Sequence, residues 1–375
     1  MSTFSDIDRA HMAHALRLAE QGLYTTHPNP RVGCVIARGG QTLGTGWHRR
    51  AGEPHAEVHA LREAGERARG ATAYVTLEPC AHFGRTPPCA NALVAAGVAR
   101  VVIAARDPFE QVAGRGIARL AGAGIVVEQG LLEAQARELN IGFFSRIERG
   151  RPWTRAKLTV SIGRPLDAID RTVLDAMRSE SRDDIRHWRA RSSVVLSHAH
   201  DAIRAAGRSG AAPRYVVRAR DCAALAAASA TTDGVPTLAL HREDEGAPTV
   251  APCENARVDD ARRPRASADP DADLRLPDAF ARLAAQGVNE LFVDADPALC
   301  DALFDSDLAD ELLLYVHPSR CGAPAPAPWL AASVDGVAHR WGLRPLHHLA
   351  LGCGQRVLLR RRARMPERPE SSVSP

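Results

Sequence analysis

The sequence predicts an α/β protein built from two α/β domains. Strand-like and helical stretches alternate over residues 8–128, a Gly150-Arg151-Pro152 break follows, and a second alternating series begins beyond it. The length of 375 residues also favours two domains over one. The expected boundaries are residues 1–148, 152–361 and a disordered tail at 362–375.

In chain order, residues 8–23 read as an amphipathic helix, with Met12, Ala15, Leu16 and Ala19 at helical spacing. His27-Pro28-Asn29-Pro30 must be a rigid loop, because two prolines in four residues prevent helix. Residues 32–36 and 42–47 read as strands around the Gly39-Gly40 turn. A helix at 56–68, a strand at 73–77, a helix at 90–96 and a buried strand at 98–104 follow. Residues 116–121 are helical and 125–128 form a strand. In the second half, strand-like runs lie at 155–162, 193–196, 214–217, 237–240, 290–293 and 311–316. Residues 241–277 are acidic, contain proline and read as an irregular surface region.

This layout puts His55 at the start of one helix, Cys80 at the end of a strand, and Cys89 just before another helix. Helix N-termini favour thiolate over thiol. One imidazole and two thiols hold zinc by three protein ligands and leave the fourth position for water, as in a catalytic site. Glu57 lies beside His55 and is the candidate proton shuttle. It takes a proton from that water and delivers protons to a ring nitrogen and to leaving ammonia. The parts make a hydrolytic deaminase of an amino-substituted nitrogen heterocycle. A closed structural site would need a fourth ligand, for which His59 and His82 are the candidates.

Composition narrows the class. Hydrophobic residues are 45% and charged residues 25%, as in a folded soluble protein. The net charge of +4 does not by itself predict nucleic-acid binding. No apolar run is long enough to span a membrane, and residues 1–10 lack the apolar core of a signal peptide. Eight dispersed cysteines suit a reduced cytoplasmic setting with a metal site. Polynucleotide deaminases carry Pro-Cys-x-x-Cys. Here a polar, basic loop, Ala81-His82-Phe83-Gly84-Arg85-Thr86-Pro87-Pro88, separates the cysteines. Its His82 and Arg85 could grip a phosphate on a small ligand.

Four blocks together resemble the riboflavin-biosynthesis deaminase/reductase family. They are His27-Pro28-Asn29-Pro30-Arg31-Val32-Gly33-Cys34-Val35-Ile36, Gly52-Glu53-Pro54-His55-Ala56-Glu57-Val58-His59-Ala60-Leu61, the run from Tyr74 through Glu78-Pro79-Cys80 to Cys89, and Val112-Ala113-Gly114-Arg115-Gly116. The resemblance implies a cytidine-deaminase-like α/β/α domain acting on 2,5-diamino-6-(5-phosphoribosylamino)pyrimidin-4-one. It implies His55, Cys80 and Cys89 as zinc ligands and Glu57 as the shuttle. It assigns Asn29 to the pyrimidine, and His48, His82 and Arg85 to ribose or phosphate. Asn29 could instead cap a turn, and Arg85 could be a solvated loop charge. One departure is Asp107-Pro108-Phe109-Glu110, where the family commonly has Asp-Pro-Asn-Pro.

The family continues with a dihydrofolate-reductase-like α/β domain that uses NADPH. Lys157-Leu158, Ser161, residues 182–190 with Arg189, and Asp310-Glu311-Leu312-Leu313-Leu314-Tyr315 keep its outline. Its working motifs differ. Ser-Leu-Asp-Gly-Arg reads Ser161-Ile162-Gly163-Arg164. Gly-Glu-Ser-x-Trp-Ile-Thr has no counterpart around 172–177, and Val-Leu-x-Asp-Asp-Pro is replaced near His200-Asp201-Ala202-Ile203. The Glu-Gly-Gly-Pro phosphate loop reads Asp294-Ala295-Asp296-Pro297, where Asp296 should repel NADPH.

The expectation is therefore an active zinc deaminase with a degenerate reductase domain that does not bind NADPH. It would serve riboflavin synthesis or a toxoflavin-type azapteridine branch. The full bifunctional enzyme is the alternative; from other classes, a nucleic-acid base deaminase or a non-catalytic zinc scaffold. The expected partner is a small phosphorylated pyrimidine riboside, not nucleic acid or membrane. A homodimer or homotetramer fits the resemblance.

Overall fold

The computed structural model describes residues 4–81, 88–109, 113–162, 179–198, 215–218, 237–242, 273–318, 327–352 and 354–361. Within these, the strands form two sheets. The first has five strands, β1 (Gly33–Arg38), β2 (Gln41–Trp47), β3 (Thr72–Leu77), β4 (Arg100–Ala105) and β5 (Val126–Gln129), in the order β2-β1-β3-β4-β5. β1 pairs antiparallel with β2 and β3, whereas β3, β4 and β5 run parallel. Apolar β3 and β4 are buried along almost their whole length, as parallel strands covered on both faces must be.

Helices cover both faces of this sheet. α1 (Asp6–Glu20) starts with a capping box between Ser5 and Asp8 and packs Met12 and Leu16 with Val35 and Tyr74. α2 (Ala56–Ala64) and α3 (Cys89–Ala96) pack on the other face, around Ala60, Ala64 and Leu93. The fit between α2 and β2 is tight. A Cβ on Gly46 would lie 2.2 Å from the Ala56 carbonyl oxygen, and one on Gly44 would lie 2.3 Å from that of Ala60. Bare glycine backbone thus lets α2 rest directly on the sheet and fixes its first residue beside the end of β2. α4 (Arg115–Gly122) follows β4.

Two helices absent from the sequence expectation, α5 (Glu133–Leu139) and α6 (Ile141–Arg149), fill the stretch before the Gly150 break. Phe143 and Phe144 of α6 join the α1 side of the core. Elsewhere in this half the elements fall within one to three residues of expectation. The helix expected at 56–68 ends at Ala64 and continues as a 3-10 turn, because Gly65 takes a φ of 56°.

The second sheet has nine strands among the described residues. They are β6 (Trp153–Ile162), β7 (Val194–His198), β8 (Tyr215–Arg218), β9 (Thr237–Arg242), β10 (Asp273–Arg275), β11 (Glu290–Asp294), β12 (Glu311–Pro318), β13 (Leu343–Leu351) and β14 (Gly354–Arg361). Their order is β10-β8-β9-β7-β11-β6-β12-β14-β13. The centre, β9-β7-β11-β6-β12, is parallel, and the flanking pairs are antiparallel. α7 (Ser179–Ala190), α8 (Leu276–Ala285), α9 (Pro297–Asp305) and α10 (Ala327–Arg340) accompany it. β10, β13 and β14 were not anticipated. The stretch expected to be irregular at 241–277 lies largely outside the described residues, but its end forms β10 and the start of α8, with Pro277 in the first turn. The expected tail at 362–375 lies outside them altogether. No helix among the described residues is long and apolar enough to cross a membrane.

The two halves meet through polar contacts. Arg31 pairs with Glu290 at 2.7 Å, and His27 lies 3.0 Å from the Arg191 carbonyl oxygen through Nε2 and 3.1 Å from Ser193 Oγ through Nδ1. Asn289 Nδ2 donates to the Pro28 carbonyl oxygen at 2.8 Å. The rigid loop at 27–30 is therefore held by residues of the second half.

Candidate active site

His55 is the N-cap of α2, Cys80 follows β3, and Cys89 is the first residue of α3 rather than the residue before it. Their ligand atoms all lie within 4.8 Å of one another. His55 Nδ1 is 3.2 Å from Cys89 Sγ and 3.6 Å from Cys80 Sγ. Donors bound tetrahedrally to one zinc ion at ordinary bond lengths sit about 3.5–3.8 Å apart. The spacing and the one-nitrogen, two-sulfur donor set therefore fit zinc. His59, the possible fourth ligand, is not drawn into this group.

The electrostatics suit a cation. Cys80 Sγ accepts from the Cys89 backbone N–H at the start of α3, at 3.3 Å. A hydrogen bond from the Cys89 thiol, against the cost of burial and with help from His55, lowers the Cys80 thiol to about 4. The same shared hydrogen bond, together with burial, raises Cys89. His55 is raised, first by its contact with the Cys80 sulfur. A divalent cation bound to these donors would take the place of the shared protons of Cys89 and His55.

Glu57 is buried, and its Oε2 has no hydrogen-bond partner among the described residues. Burial raises its pKa, partly countered by His55. A carboxylate oxygen buried without a partner is costly in a purely structural role. It lies on the wall of a cavity of about 420 Å³, with His55 and Cys80.

Asn29 and His48 line the same cavity. The Pro54 carbonyl oxygen lies 3.3 Å from His48 Nδ1, which places the proton there and leaves Nε2 to accept from Asn29 Nδ2 at 3.1 Å. Burial lowers the His48 pKa and keeps the ring neutral. The Asn29 amide is thereby oriented, with its carbonyl oxygen left for a ligand. His82 and Arg85 lie outside the described residues. Phe109, at the departure from the family pattern, lines the cavity and is 40% exposed.

Three features escaped the sequence reading. Glu78 is buried and accepts from the backbone N–H groups of Gly114, Gly116 and Ile117 at 3.0–3.3 Å, fastening the start of α4 to the strand end that carries Cys80. Its signal was its place in Glu78-Pro79-Cys80, directly before the thiol. Phe143, Arg146 and Ile147 of α6 form a wall of the cavity. Their spacing of three and four residues was a legible helical stripe. Gly287, from the second half, completes the wall, a contact no local pattern signals.

In the second half, the region of the expected phosphate loop is internally engaged. Asp294 accepts from Lys157 Nζ at 2.9 Å and pairs with Arg189 at 3.3 Å. Asp296 is the N-cap of α9, and its Oδ1 accepts from the Leu299 N–H at 2.7 Å. The Asp296 charge is thus directed at a helix terminus, which weakens the argument that it repels a cofactor phosphate. The other motif positions, 163–164, 172–177 and 200–203, lie outside the described residues.

Comparison with known proteins agrees with this architecture. Residues 5–105 match the cytidine and deoxycytidylate deaminase zinc-binding region, and residues 152–354 match the RibD C-terminal domain. The riboflavin biosynthesis protein RibD of Escherichia coli K12 is 40% identical over 336 residues, 85% of this chain and 89% of that protein. A diaminohydroxyphosphoribosylamino-pyrimidine deaminase of Buchnera aphidicola is 48% identical over 145 residues, 39% of this chain and 99% of that protein. The structure of Acinetobacter baumannii RibD, at 31% identity, superimposes with a TM-score of 0.66 over 94% of this chain and 98% of that one. The first half thus has the cytidine-deaminase-like fold and the second the dihydrofolate-reductase-like fold. The chain belongs to the RibD family of riboflavin-biosynthesis deaminase/reductases.

Proposed function

We propose that the N-terminal half deaminates 2,5-diamino-6-(5-phosphoribosylamino)pyrimidin-4-one to 5-amino-6-(5-phosphoribosylamino)uracil, releasing ammonia, in riboflavin biosynthesis. The observation that carries this is the Glu57 oxygen, unpartnered among the described residues, on a cavity it shares with His55 and Cys80 of the His55–Cys80–Cys89 donor group. His55, Cys80 and Cys89 would hold zinc, which when bound would activate water and polarise the reacting centre. Glu57 accepts a proton at Oε2 and returns protons to the ring nitrogen and the departing amine. Asn29, steadied by His48, orients the pyrimidine through its free amide oxygen. A cavity of about 420 Å³ suits a small molecule better than a polynucleotide. The relatives named above are riboflavin-biosynthesis proteins or a deaminase of this pyrimidine, which favours that pathway over the azapteridine branch.

A second reading extends to the C-terminal half: reduction of the deaminated product with NADPH. The match to the RibD C-terminal domain over residues 152–354 favours it. So does the 85% of the chain aligned with a full-length relative. The expectation of a degenerate reductase draws no support from these likenesses, and the capping role of Asp296 weakens its electrostatic argument.

Mass spectrometry of the precursor incubated with purified protein tests both. Deamination adds about one mass unit, and reduction, only with NADPH, about two more. An unchanged precursor would refute the deaminase reading. A product that stops at deamination, with no oxidation of NADPH, would refute the second.

A further inference from the structure

The cavity carries three acidic side chains, Glu57, Glu78 and Asp107, and two of the metal donors, His55 and Cys80. Among its described lining residues, Arg146 is the one full cation. Its guanidinium is fastened at one point. Arg146 Nε donates to Asn289 Oδ1 at 2.7 Å. Neither Nη pairs with a carboxylate among the described residues, and Phe143 lies beneath, with its ring centre 5.7 Å from Cζ. Burial is the sole cause of a lowered Arg146 pKa, which is the pattern of a cation without a counter-ion.

Asn289 is itself immobilised. It is 3% exposed, its N–H donates to Ser193 Oγ at 3.2 Å, and its carbonyl oxygen accepts from Trp153 N–H at 2.9 Å. Its side-chain amide splits its two functions: Nδ2 holds the Pro28 carbonyl oxygen and Oδ1 holds Arg146. One side chain of the second half thus sets both the loop bearing Asn29 and the fork of Arg146. A guanidinium held by Nε presents two parallel Nη donors, the geometry that grips a phosphate in bidentate fashion.

We propose that Arg146 is a further binding residue for the phosphate of the substrate riboside, in addition to those the family resemblance assigns, and that Asn289 of the C-terminal domain is the positioning residue that aims it. The inference rests on the proposed deaminase reading. It gives the second domain a part in the first domain's chemistry, whatever reaction the second domain performs. Relatives consisting of the deaminase half alone imply that Asn289 tunes the site rather than creates it.

The test compares deamination of the phosphorylated precursor and of its dephosphorylated riboside by wild type, Arg146→Gln, Arg146→Lys and Asn289→Ala. For Arg146→Gln, KM for the phosphorylated substrate should rise about 10–100-fold with kcat nearly kept, while the riboside is handled as by wild type. Arg146→Lys should recover part of the loss, and Asn289→Ala should raise the same KM about 3–10-fold. Equal losses on both substrates for Arg146→Gln, or no loss, would overturn the proposal in favour of a packing role. Calorimetric binding of ribose 5-phosphate supplies a readout independent of turnover. Weaker binding by Arg146→Gln supports the anchor even if wild type deaminates neither compound, an outcome that would sink only the deaminase reading. Unchanged binding overturns the anchor.

Discussion

Arg31 of the N-terminal half and Glu290 of the C-terminal half form an ion pair at 2.7 Å, with side chains 3% and 0% exposed. Arg155 also pairs with Glu290, and Arg191 lies 3.7 Å away. Burial opposes the Glu290 charge, but Arg31, Arg155 and Arg191 hold its pKa well below the usual carboxylate range. Glu290→Gln removes the shared counter-charge of these arginines. The expected loss is about 3–5 kcal/mol, as for a broken buried pair. Urea unfolding followed by tryptophan fluorescence measures it; a loss below about 1 kcal/mol would show that the pair is not a keystone of the interface.

Glu57→Gln keeps the size of the side chain and removes its basicity. Deamination should fall about 100–10,000-fold while zinc content stays that of wild type. Ammonia release and metal analysis read the two quantities separately. Loss of metal together with activity would make Glu57 a structural support of the site instead of its proton carrier.

Zinc removal provides a complementary expectation. A chelator should abolish ammonia release, and added zinc should restore it. The freed Cys80, lowered to about 4, should then react readily with a thiol reagent at neutral pH, ahead of the raised Cys89. Modification of the apoprotein at Cys80, mapped by mass spectrometry and blocked by zinc, checks this. Equal labelling with and without zinc would place the metal elsewhere.

Much of this site was legible because its parts are local. His55 and Cys89 open helices, Cys80 lies just after a strand, and Pro and Gly punctuate the chain around them. The alternation of short buried strands with helices carried the first sheet for the same reason. What was not legible depends on distant partners. Arg146 gains its meaning from Asn289, 143 positions away. β13 carries seven exposed residues between two buried ends and so shows no alternation to read. Asp296 looked like a misplaced charge in a phosphate loop, but such a residue is equally a helix N-cap, and only the Leu299 contact distinguishes the two.

That contact makes its own prediction. Asp296→Ala should cost about 1 kcal/mol of stability through loss of the cap. If the C-terminal half binds NADPH, its affinity should change little, because the carboxylate is directed at α9. Thermal unfolding and a fluorescence titration of the nicotinamide read the pair. Much tighter NADPH binding by Asp296→Ala would restore electrostatic repulsion as the dominant effect.

The interface should also respond to mild acid through His27. This ring is half-buried between the halves, with Nε2 at the Arg191 carbonyl oxygen and Nδ1 at Ser193 Oγ. Burial lowers its pKa, Arg31 and Arg191 push in the same direction, and Glu290 opposes them. The folded protein therefore keeps His27 neutral where the unfolded chain, with an ordinary value near 6.5, takes up a proton. Unfolded chains then bind more protons than folded ones, so stability rises with pH across that window. The stabilisation is complete above about 6.5 and is lost progressively as pH falls below it towards the lowered folded value. His14, His48, His59 and His317 are lowered too and add slope of the same sign. The His27 share is isolated by comparing wild type with His27→Gln between pH 7.5 and 5.5. The variant should start less stable, having lost two interface contacts, and should lose less on acidification. Parallel melting-temperature curves for the two proteins would assign the acid sensitivity to the other histidines and remove His27 from the account.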